Sequence, residues 1–320
     1  MDAIKGGSAK NGIRAKVLSG VGGLYRVLTE DNELLECRAR GSFRHSGISP
    51  YPGDDVTVTK EEKGLCAIGE ILERKNKFER PPAANIDKLF VTVAAASPSP
   101  SYITVDKLLC AAEYYGASSV ILVTKSDLDP EKAEEIRRVY TLSGYPVFVT
   151  SSACGEGIEQ LKEFVYAQLE GSTAAFAGES GVGKSSLMNA IFPDLRLTTG
   201  DVSRKISRGK HTTRAVTLYP IKPELRFSGA FIADTPGFGI FELSAIDELI
   251  YDDVPELFPE LKEHMGNCRY RKCTHLREEG CAVIEAVGNG LIAPERHESY
   301  VRIYEEIKTL RPWQTRRTQK

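Results

Sequence analysis

The segment Gly178-Glu-Ser-Gly-Val-Gly-Lys-Ser185 predicts a nucleotide-binding domain, because its spacing G-x-x-x-x-G-K-S is that of a phosphate-binding loop. The apolar run Thr173–Ala177 precedes it and helix formers follow it, which gives the strand–loop–helix context that such a loop needs. Its glycines let backbone N–H groups surround a polyphosphate. Lys184 would reach the β- and γ-phosphates, and Ser185 would ligate Mg²⁺. The predicted nucleotide contacts here are Gly178, Glu179, Ser180, Gly181, Val182, Gly183, Lys184, Ser185 and Ser186.

The composition describes a folded chain without a membrane span. The chain has 320 residues, of which 41% are hydrophobic and 27% charged, enough for two or three domains. No apolar run approaches the about 20 residues of a spanning helix, and the N-terminus lacks a secretory segment. We therefore expect a cytoplasmic protein that binds no membrane and keeps its seven cysteines reduced. The net charge of −2 gives no global signature of nucleic-acid binding.

Three regions differ in pattern and predict a multidomain protein. Residues 1–75 contain five short apolar or alternating runs separated by turn residues, which is typical of an all-β, OB-like barrel. The second region, residues 76–243, begins with a linker that covers residues 75–84. The rest of the region alternates strands with helices, as in an α/β domain with a parallel sheet. Residues 244–320 form a mainly helical C-terminal domain, with an acidic helix expected at Ile246–Leu261.

A second piece of chemistry follows the strand Ser119–Thr124, where Thr124-Lys125-Ser126-Asp127 has the T-K-x-D spacing of a guanine-reading element. Its aspartate would accept two hydrogen bonds from guanine N1 and N2, a donor pair that adenine lacks. The next strand ends in Ser151-Ser152-Ala153, which resembles the S-A element whose backbone N–H contacts guanine O6. The pair predicts GTP or GDP as the nucleotide. The predicted base contacts are Thr124, Lys125, Asp127, Ser151, Ser152 and Ala153.

The third element is an apolar strand that ends in D-x-x-G at Asp234–Gly237. Asp234 would hold Mg²⁺ through water, and the Gly237 N–H would sense the γ-phosphate. The preceding stretch 196–214 has six basic residues against one acid, and Thr212 or Thr213 in it would ligate Mg²⁺ when GTP is bound. Such a loop is a switch that the γ-phosphate orders, and its charge suits RNA phosphate.

The order of these elements is rearranged. The base-reading elements come first, followed by the phosphate loop, the switch loop and D-x-x-G, whereas Ras-like GTPases begin with the phosphate loop. A sheet can be cut at one loop and rejoined where its ends are close. The sequence therefore predicts a circularly permuted P-loop GTPase domain.

The C-terminal region contains the spacing Cys268-x4-Cys273-x-His275-x5-Cys281. Three thiolates and one imidazole complete a tetrahedral Zn²⁺ set without an open position. We therefore expect one structural zinc ion that supports a small domain with little core of its own. The alternative is a group of reduced cysteines without metal.

Together these features resemble the ribosome small-subunit-dependent GTPase A family, a bacterial group of permuted GTPases. The resemblance covers the barrel, the permuted motif order and the terminal metal module, which is nearly the whole chain. It implies binding to the small (30S) ribosomal subunit and its 16S rRNA, and a role in late subunit maturation. It also implies hydrolysis of GTP to GDP and phosphate, stimulated by the subunit. We expect the chain to be a monomer.

Three positions depart from common patterns. Phe238 stands where Ras-like enzymes carry a water-orienting glutamine, so the polar group must come from elsewhere. The resemblance assigns this role to His211, in a match to the family's G-x-H-T-T; the alternative is a solvent-facing switch-loop histidine. Thr124 replaces the asparagine of many members, and Gly181 replaces the asparagine of potassium-activated relatives, which weakens the case for a potassium site.

Two other functions remain open from the sequence. An ATP-using enzyme of another P-loop class would prefer adenine and would leave Thr124–Asp127 unexplained. An RNA-binding protein with a barrel and a zinc site would use GTP only as a conformational ligand, and small subunits would not change its GTPase rate.

Overall fold

The computed structural model describes residues 12–41, 43, 47–60, 65–193, 216–221, 227–234, 243, 246 and 248–310. Four predicted site residues lie outside the described residues, namely His211, Thr212, Thr213 and Gly237. The basic stretch 196–214 and the tail 311–320 lie outside them too.

The chain divides into two compact units, each built from separate segments. The first contains Met1–Leu89, Lys162–Phe176 and Ile191–Phe238, and the second contains Phe90–Leu161, Ala177–Ala190 and Gly239–Lys320. The domain boundaries expected after residues 75 and 243 stay predictions.

Five strands of the first unit form the N-terminal barrel, and their bounds follow the apolar runs of the sequence. They are β1 (Ile13–Val21), β2 (Leu24–Thr29), β3 (Leu34–Ala39), β4 (Asp55–Thr59) and β5 (Cys66–Ile71). Neighbours pair in the order β1-β2-β3-β5-β4, and β4 returns to β1, so the sheet closes. The β3–β5 pair is parallel and the other pairs are antiparallel. Side chains such as Val17, Val27 and Ile68 fill the interior, and the OB-like barrel is confirmed.

The segment 75–84, which the sequence indicated as a linker, contains a hairpin. Its strands are β6 (Lys77–Glu79) and β7 (Pro82–Ala84), and they pair antiparallel. Phe78 and Ala83, which are opposite each other in the hairpin, are fully buried. The proline-rich composition therefore marked a short, packed hairpin rather than an open connection.

The α/β region has the predicted alternation of strands and helices. Its strands are β8 (Lys88–Ala94), β9 (Ser118–Thr124), β10 (Val147–Val149), β11 (Thr173–Ala177), β12 (Thr217–Pro220) and β13 (Phe231–Asp234). Its helices are Tyr102–Tyr115, Pro130–Leu142, Ile158–Gln168 and Lys184–Ile191. Local sequence explains the helix ends, because Ser101 caps one helix and Asp129 with Pro130 starts the next.

Strand order places the motif loops at strand ends. In the second unit β10, β9 and β8 are neighbours, with β9 and β10 parallel. In the first unit β11 pairs parallel with β13, and β12 pairs antiparallel with β13. The T-K-x-D and S-A elements therefore leave two adjacent parallel strands at the same edge of the sheet.

The C-terminal region is mainly helical, but the expected helix over Ile246–Leu261 is wrong in detail. A 3-10 helix occupies Tyr251–Leu257, and a short α-helix occupies Pro259–Lys262. Pro255 and Pro259 explain the break, since proline removes a backbone donor and clashes with the preceding turn. Two further helices span Ala282–Gly288 and Pro294–Leu310. None of the described helices has the length and apolar character needed to cross a membrane.

Candidate functional site

The phosphate loop follows β11 and requires glycine at its first position. Gly178 has φ +139°, and a Cβ atom placed there would lie 2.2 Å from the Thr92 carbonyl oxygen. Gly181 and Gly183 also have positive φ, at +83° and +99°. Any side chain at Gly178 would therefore displace the loop from β8.

Lys184 is the first residue of the helix that follows the loop. Its Nζ donates hydrogen bonds to the carbonyl oxygens of Gly178 at 2.6 Å and of Glu179 at 2.7 Å. The ammonium group thus lies against the loop backbone. Ser185 and Ser186 are exposed in the first helical turn, where backbone N–H groups lack intrahelical acceptors and attract anions.

The two predicted base-reading segments are joined by one hydroxyl group. Ser151 donates from Oγ to Asp127 Oδ1 at 2.5 Å, and the same Oγ accepts from the N–H groups of Ala153 at 3.2 Å and Cys154 at 3.3 Å. Asp127 and Ser152 are exposed, whereas Ser151 is buried. The structure brings these segments together with an exposed carboxylate whose position Ser151 fixes.

Thr124, which replaces the asparagine of many family members, contacts the phosphate loop. Its Oγ1 lies 2.5 Å from the carbonyl oxygen of Val182 in the phosphate loop and 3.3 Å from that of Val93 in β8. A hydroxyl group has one hydrogen to donate, so the shorter contact to Val182 is the main bond. Thr124 therefore ties the base-reading segment to the phosphate loop without a side-chain amide.

Lys125 has an unusual backbone conformation, with φ +58°. Its Nζ donates to the carbonyl oxygen of Gly181 at 2.8 Å and also to that of Ser97. Two backbone oxygens from different loops thus anchor the ammonium group. The carbonyl of Ser97 was not predicted from the sequence, because no side-chain motif marks a backbone acceptor.

Asp234 is the last residue of β13 and the last described residue before D-x-x-G continues. Its register partner is Thr217, the first residue of β12. This pairing fixes the backbone of the predicted Mg²⁺-binding aspartate, while the other end of the motif lies outside the described residues.

The four predicted zinc ligands come together in the second unit. The ligand atoms of Cys268, Cys273, His275 and Cys281 all lie within 4.8 Å of one another. His275 Nδ1 is 3.5 Å from Cys268 Sγ and 3.4 Å from Cys281 Sγ, and those two sulfurs are 3.9 Å apart. A tetrahedral ion with bonds of about 2.3 Å to sulfur and 2.0–2.1 Å to nitrogen requires S–S and S–N edges of about 3.8 and 3.5 Å. The cluster therefore fits a tetrahedral metal ion.

Without a metal ion, burial favours the neutral forms of the side chains in the cluster. Burial, together with the neighbouring thiols, raises the pKa of Cys273 to about 12, and burial lowers that of His275. A cation would offset the cost of the thiolate form that metal binding requires. Metal binding would therefore release the thiol protons of the cluster.

Three residues outside the cluster hold its central turn. Burial alone would raise the pKa of Glu278, but hydrogen bonds from Thr274 and neighbouring backbone N–H groups lower it to about 2. His297 Nε2 contacts the carbonyl oxygen of His275 at 2.8 Å, and the Tyr300 hydroxyl donates to that of Thr274. The sequence alone gave no reason to connect His297 with the ligands.

A buried ionic cluster links the helix Tyr102–Tyr115 to the helix Pro294–Leu310. Arg296 donates to Asp106 Oδ1 at 2.5 Å and to the two Glu260 carboxylate oxygens at 2.6 and 3.1 Å. The side chains of Arg296 and Asp106 are completely buried. Burial raises the pKa of Asp106, and Arg296 opposes that rise. Separations in sequence of 36 and 190 residues hid this cluster from sequence analysis.

Known proteins match both the sequence and the fold. Residues 71–244 match the RsgA GTPase family, and residues 15–68 match the RsgA N-terminal domain. A Ruminiclostridium cellulolyticum protein named Small ribosomal subunit biogenesis GTPase RsgA is 39% identical over 306 residues, covering 95% of this chain and 96% of that protein. A protein of the same name from Geobacillus sp. is 41% identical over 303 residues, covering 93% and 98%.

Solved structures agree with this assignment. YjeQ from Thermotoga maritima superposes with a TM-score of 0.75 at 34% identity, covering 92% of this chain and 98% of that chain. YloQ, described as a circularly permuted GTPase, has a TM-score of 0.72 at 32% identity and covers 96% and 98%. The permuted order of motifs is confirmed, and the chain belongs to the RsgA GTPase family and is a GTP hydrolase.

Proposed function

We propose that this GTPase binds the small (30S) ribosomal subunit, acts in its late maturation, and hydrolyses GTP faster when the subunit is bound. The observation that carries the proposal is the match over 95% of the chain to a protein named for small ribosomal subunit biogenesis. Contact with 16S rRNA and a cytoplasmic, monomeric state belong to the same proposal.

The nucleotide would lie along the phosphate loop and the two base-reading segments. Lys184 would bind the phosphates, the loop residues Gly178–Ser186 would surround them, and Asp127 would select guanine. The bond between Ser151 and Asp127 supports this role, because it orients the carboxylate before the base arrives. Thr124 would act through Val182 by holding the phosphate loop.

Metal ions would have two separate roles. Mg²⁺ would accompany GTP, with Ser185, one of Thr212 and Thr213, and Asp234 through water as its partners. The close approach of three sulfur atoms and one imidazole nitrogen supports a single structural zinc ion at the cluster. Mg²⁺ bound with GTP supplies charge stabilisation at the phosphates.

His211 would position the attacking water, because Phe238 occupies the place of the usual glutamine. Replacement of His211 by alanine should therefore leave GDP affinity unchanged and remove the subunit-stimulated part of turnover. An unchanged stimulated rate would contradict this role.

Co-sedimentation tests the binding half of the proposal. Purified small subunits are centrifuged through sucrose with the full chain and either GDP or a GTP analogue that resists hydrolysis. We expect the chain to pellet with subunits, and more of it with the analogue. Equal absence from both pellets would contradict subunit binding and leave the GTPase assignment untouched.

A further inference from the structure

The segment between the first two candidate metal ligands is unusually exposed. Arg269, Tyr270, Arg271 and Lys272 all face solvent, and Tyr270 is 49% exposed. We call this segment, from Cys268 to Cys273, the Cys268–Cys273 loop. Tyr270 is not one of the candidate metal ligands, and its ring is not buried in the core. The ring is therefore accessible to a partner.

The loop presents the Tyr270 ring from a fixed backbone. Candidate metal ligands lie at both of its ends. The Arg269 N–H donates to the Gly280 carbonyl oxygen at 2.9 Å, and the Cys273 N–H donates to that of Tyr270 at 3.2 Å. The Arg269 guanidinium lies 5.6 Å from the centre of the Tyr270 ring, which restricts the ring further. Stacking of a partner on this ring would therefore cost little side-chain conformational entropy.

The charge around the ring is positive. Arg269 is partly neutralised by exposed Glu279, 3.5 Å away. Arg271 and Lys272 are exposed, and within the part of the chain that the structure describes they form no ion pair; exposed Arg277 follows shortly after. The one other acid of this turn, Glu278, is occupied by Thr274 and backbone N–H groups. The loop thus combines an open aromatic ring with two unneutralised cations.

We propose that the Cys268–Cys273 loop binds single-stranded RNA, with a base stacked on Tyr270 and phosphates at Arg271 and Lys272. Unpaired bases can be splayed onto aromatic rings, whereas the bases of a duplex are stacked on each other. Exposed cations that directly follow the ring in sequence suit a strand that alternates bases and phosphates. The proposal rests on the proposed function, since it names a contact through which a ribosomal partner is held.

Fluorescence anisotropy with a labelled single-stranded RNA of about ten nucleotides tests the contact. Tyr270→Ala should weaken binding about tenfold, the effect of losing one base–aromatic stack, while Tyr270→Phe should bind like the unaltered chain. Arg271→Ala with Lys272→Ala should reduce the slope of log K against log salt by about 1.4, the value for two phosphates of a single strand. Arg302→Ala is the control, because Arg302 is exposed on the last helix and pairs with Glu298.

Photo-crosslinking identifies the contacting peptide even if other surfaces of the chain also bind RNA. The same RNA carrying 4-thiouridine should crosslink to a peptide containing Tyr270, and Tyr270→Ala should lose that crosslink. Metal content and basal GTP turnover, measured on each variant, confirm that the fold is intact. Crosslinks confined to other peptides, or equal affinity of Tyr270→Ala and the unaltered chain, would overturn the proposal.

The two proposals fail separately. If small subunits do not stimulate turnover but RNA affinity depends on Tyr270, the proposed function falls and the RNA contact stands. If subunits stimulate turnover and Tyr270→Ala binds RNA normally, only the contact falls. Displacement of the single strand by duplex RNA at equal concentration would show charge attraction alone and would overturn stacking.

Discussion

The Thr124 hydroxyl lies 2.5 Å from the carbonyl oxygen of Val182, so a base-reading segment and the phosphate loop share a hydrogen bond. Both atoms are buried, since Thr124 and Val182 are each 3% exposed. One hydroxyl group thus links the two segments.

Thr124→Val should loosen the phosphate loop. It leaves the buried Val182 carbonyl without its donor, which costs about 1–2 kcal/mol and lowers GDP affinity roughly 5- to 30-fold. Titration with a fluorescent GDP analogue measures the change. Thr92→Val is a matched control, because Thr92 is also buried but its Oγ1 has no hydrogen-bond partner among the described residues. Equal losses in the two variants would contradict the role of the bond.

Asp127→Asn should change which base is bound. In the proposed base contact the carboxylate would accept two hydrogen bonds from guanine, whereas an amide could donate one to the 2-oxo group of xanthine. We expect weaker GDP binding by about 1.5–3 kcal/mol and a shift in preference towards xanthosine diphosphate. Competition titrations with both nucleotides measure the ratio. Asp129→Asn is the control, since asparagine caps a helix as well as aspartate does. An unchanged ratio for Asp127→Asn would rule out the proposed base contact.

Cys273→Ala should release the metal ion. The cluster loses one of its four donors and has no spare ligand. The zinc content measured by elemental analysis should therefore fall from one per chain to well below one. The C-terminal domain should then become more sensitive to protease. Cys154→Ala, which removes an exposed free thiol, should change neither quantity. Retention of a full equivalent of zinc by Cys273→Ala would show that the ligand set is wrong.

Arg296→Met should destabilise the protein strongly. It removes the cation that contacts both Asp106 and Glu260 and leaves two buried carboxylates without it. Breaking a buried ion pair in this way costs about 3–5 kcal/mol, which thermal and denaturant unfolding would detect. Arg302→Met on the same helix should cost less than about 1 kcal/mol, because its partner Glu298 is exposed. A loss as small as that of Arg302→Met would mean that the buried cluster contributes little.

Sequence reasoning succeeded where the signal was local. The alternation in Ile13–Val21 and its neighbours indicated the barrel strands, and the glycine spacing from Gly178 indicated the phosphate loop. Ligand spacing indicated the Cys268–Cys281 cluster. In each case a short contiguous segment of sequence contains all the residues that form the structural feature.

It failed where contacts join distant segments. The ionic cluster of Arg296 depends on helix packing across 190 residues, and the acceptor for Lys125 is the backbone of Ser97. The acidic stretch around Tyr251–Leu257 had helical composition, but Pro255 and Pro259 limited it to short turns. Composition and periodicity alone do not account for the effect of these prolines on helix length.

In the proposed function, the small ribosomal subunit stimulates GTP hydrolysis by this chain. The most direct measurement is steady-state release of phosphate from GTP, with and without purified small subunits, across a salt series, with Lys184→Ala as the inactive control. We predict a low basal rate, a marked rise with subunits that weakens as salt increases, and no rise for Lys184→Ala. Equal rates with and without subunits at every salt concentration would contradict stimulation by the subunit.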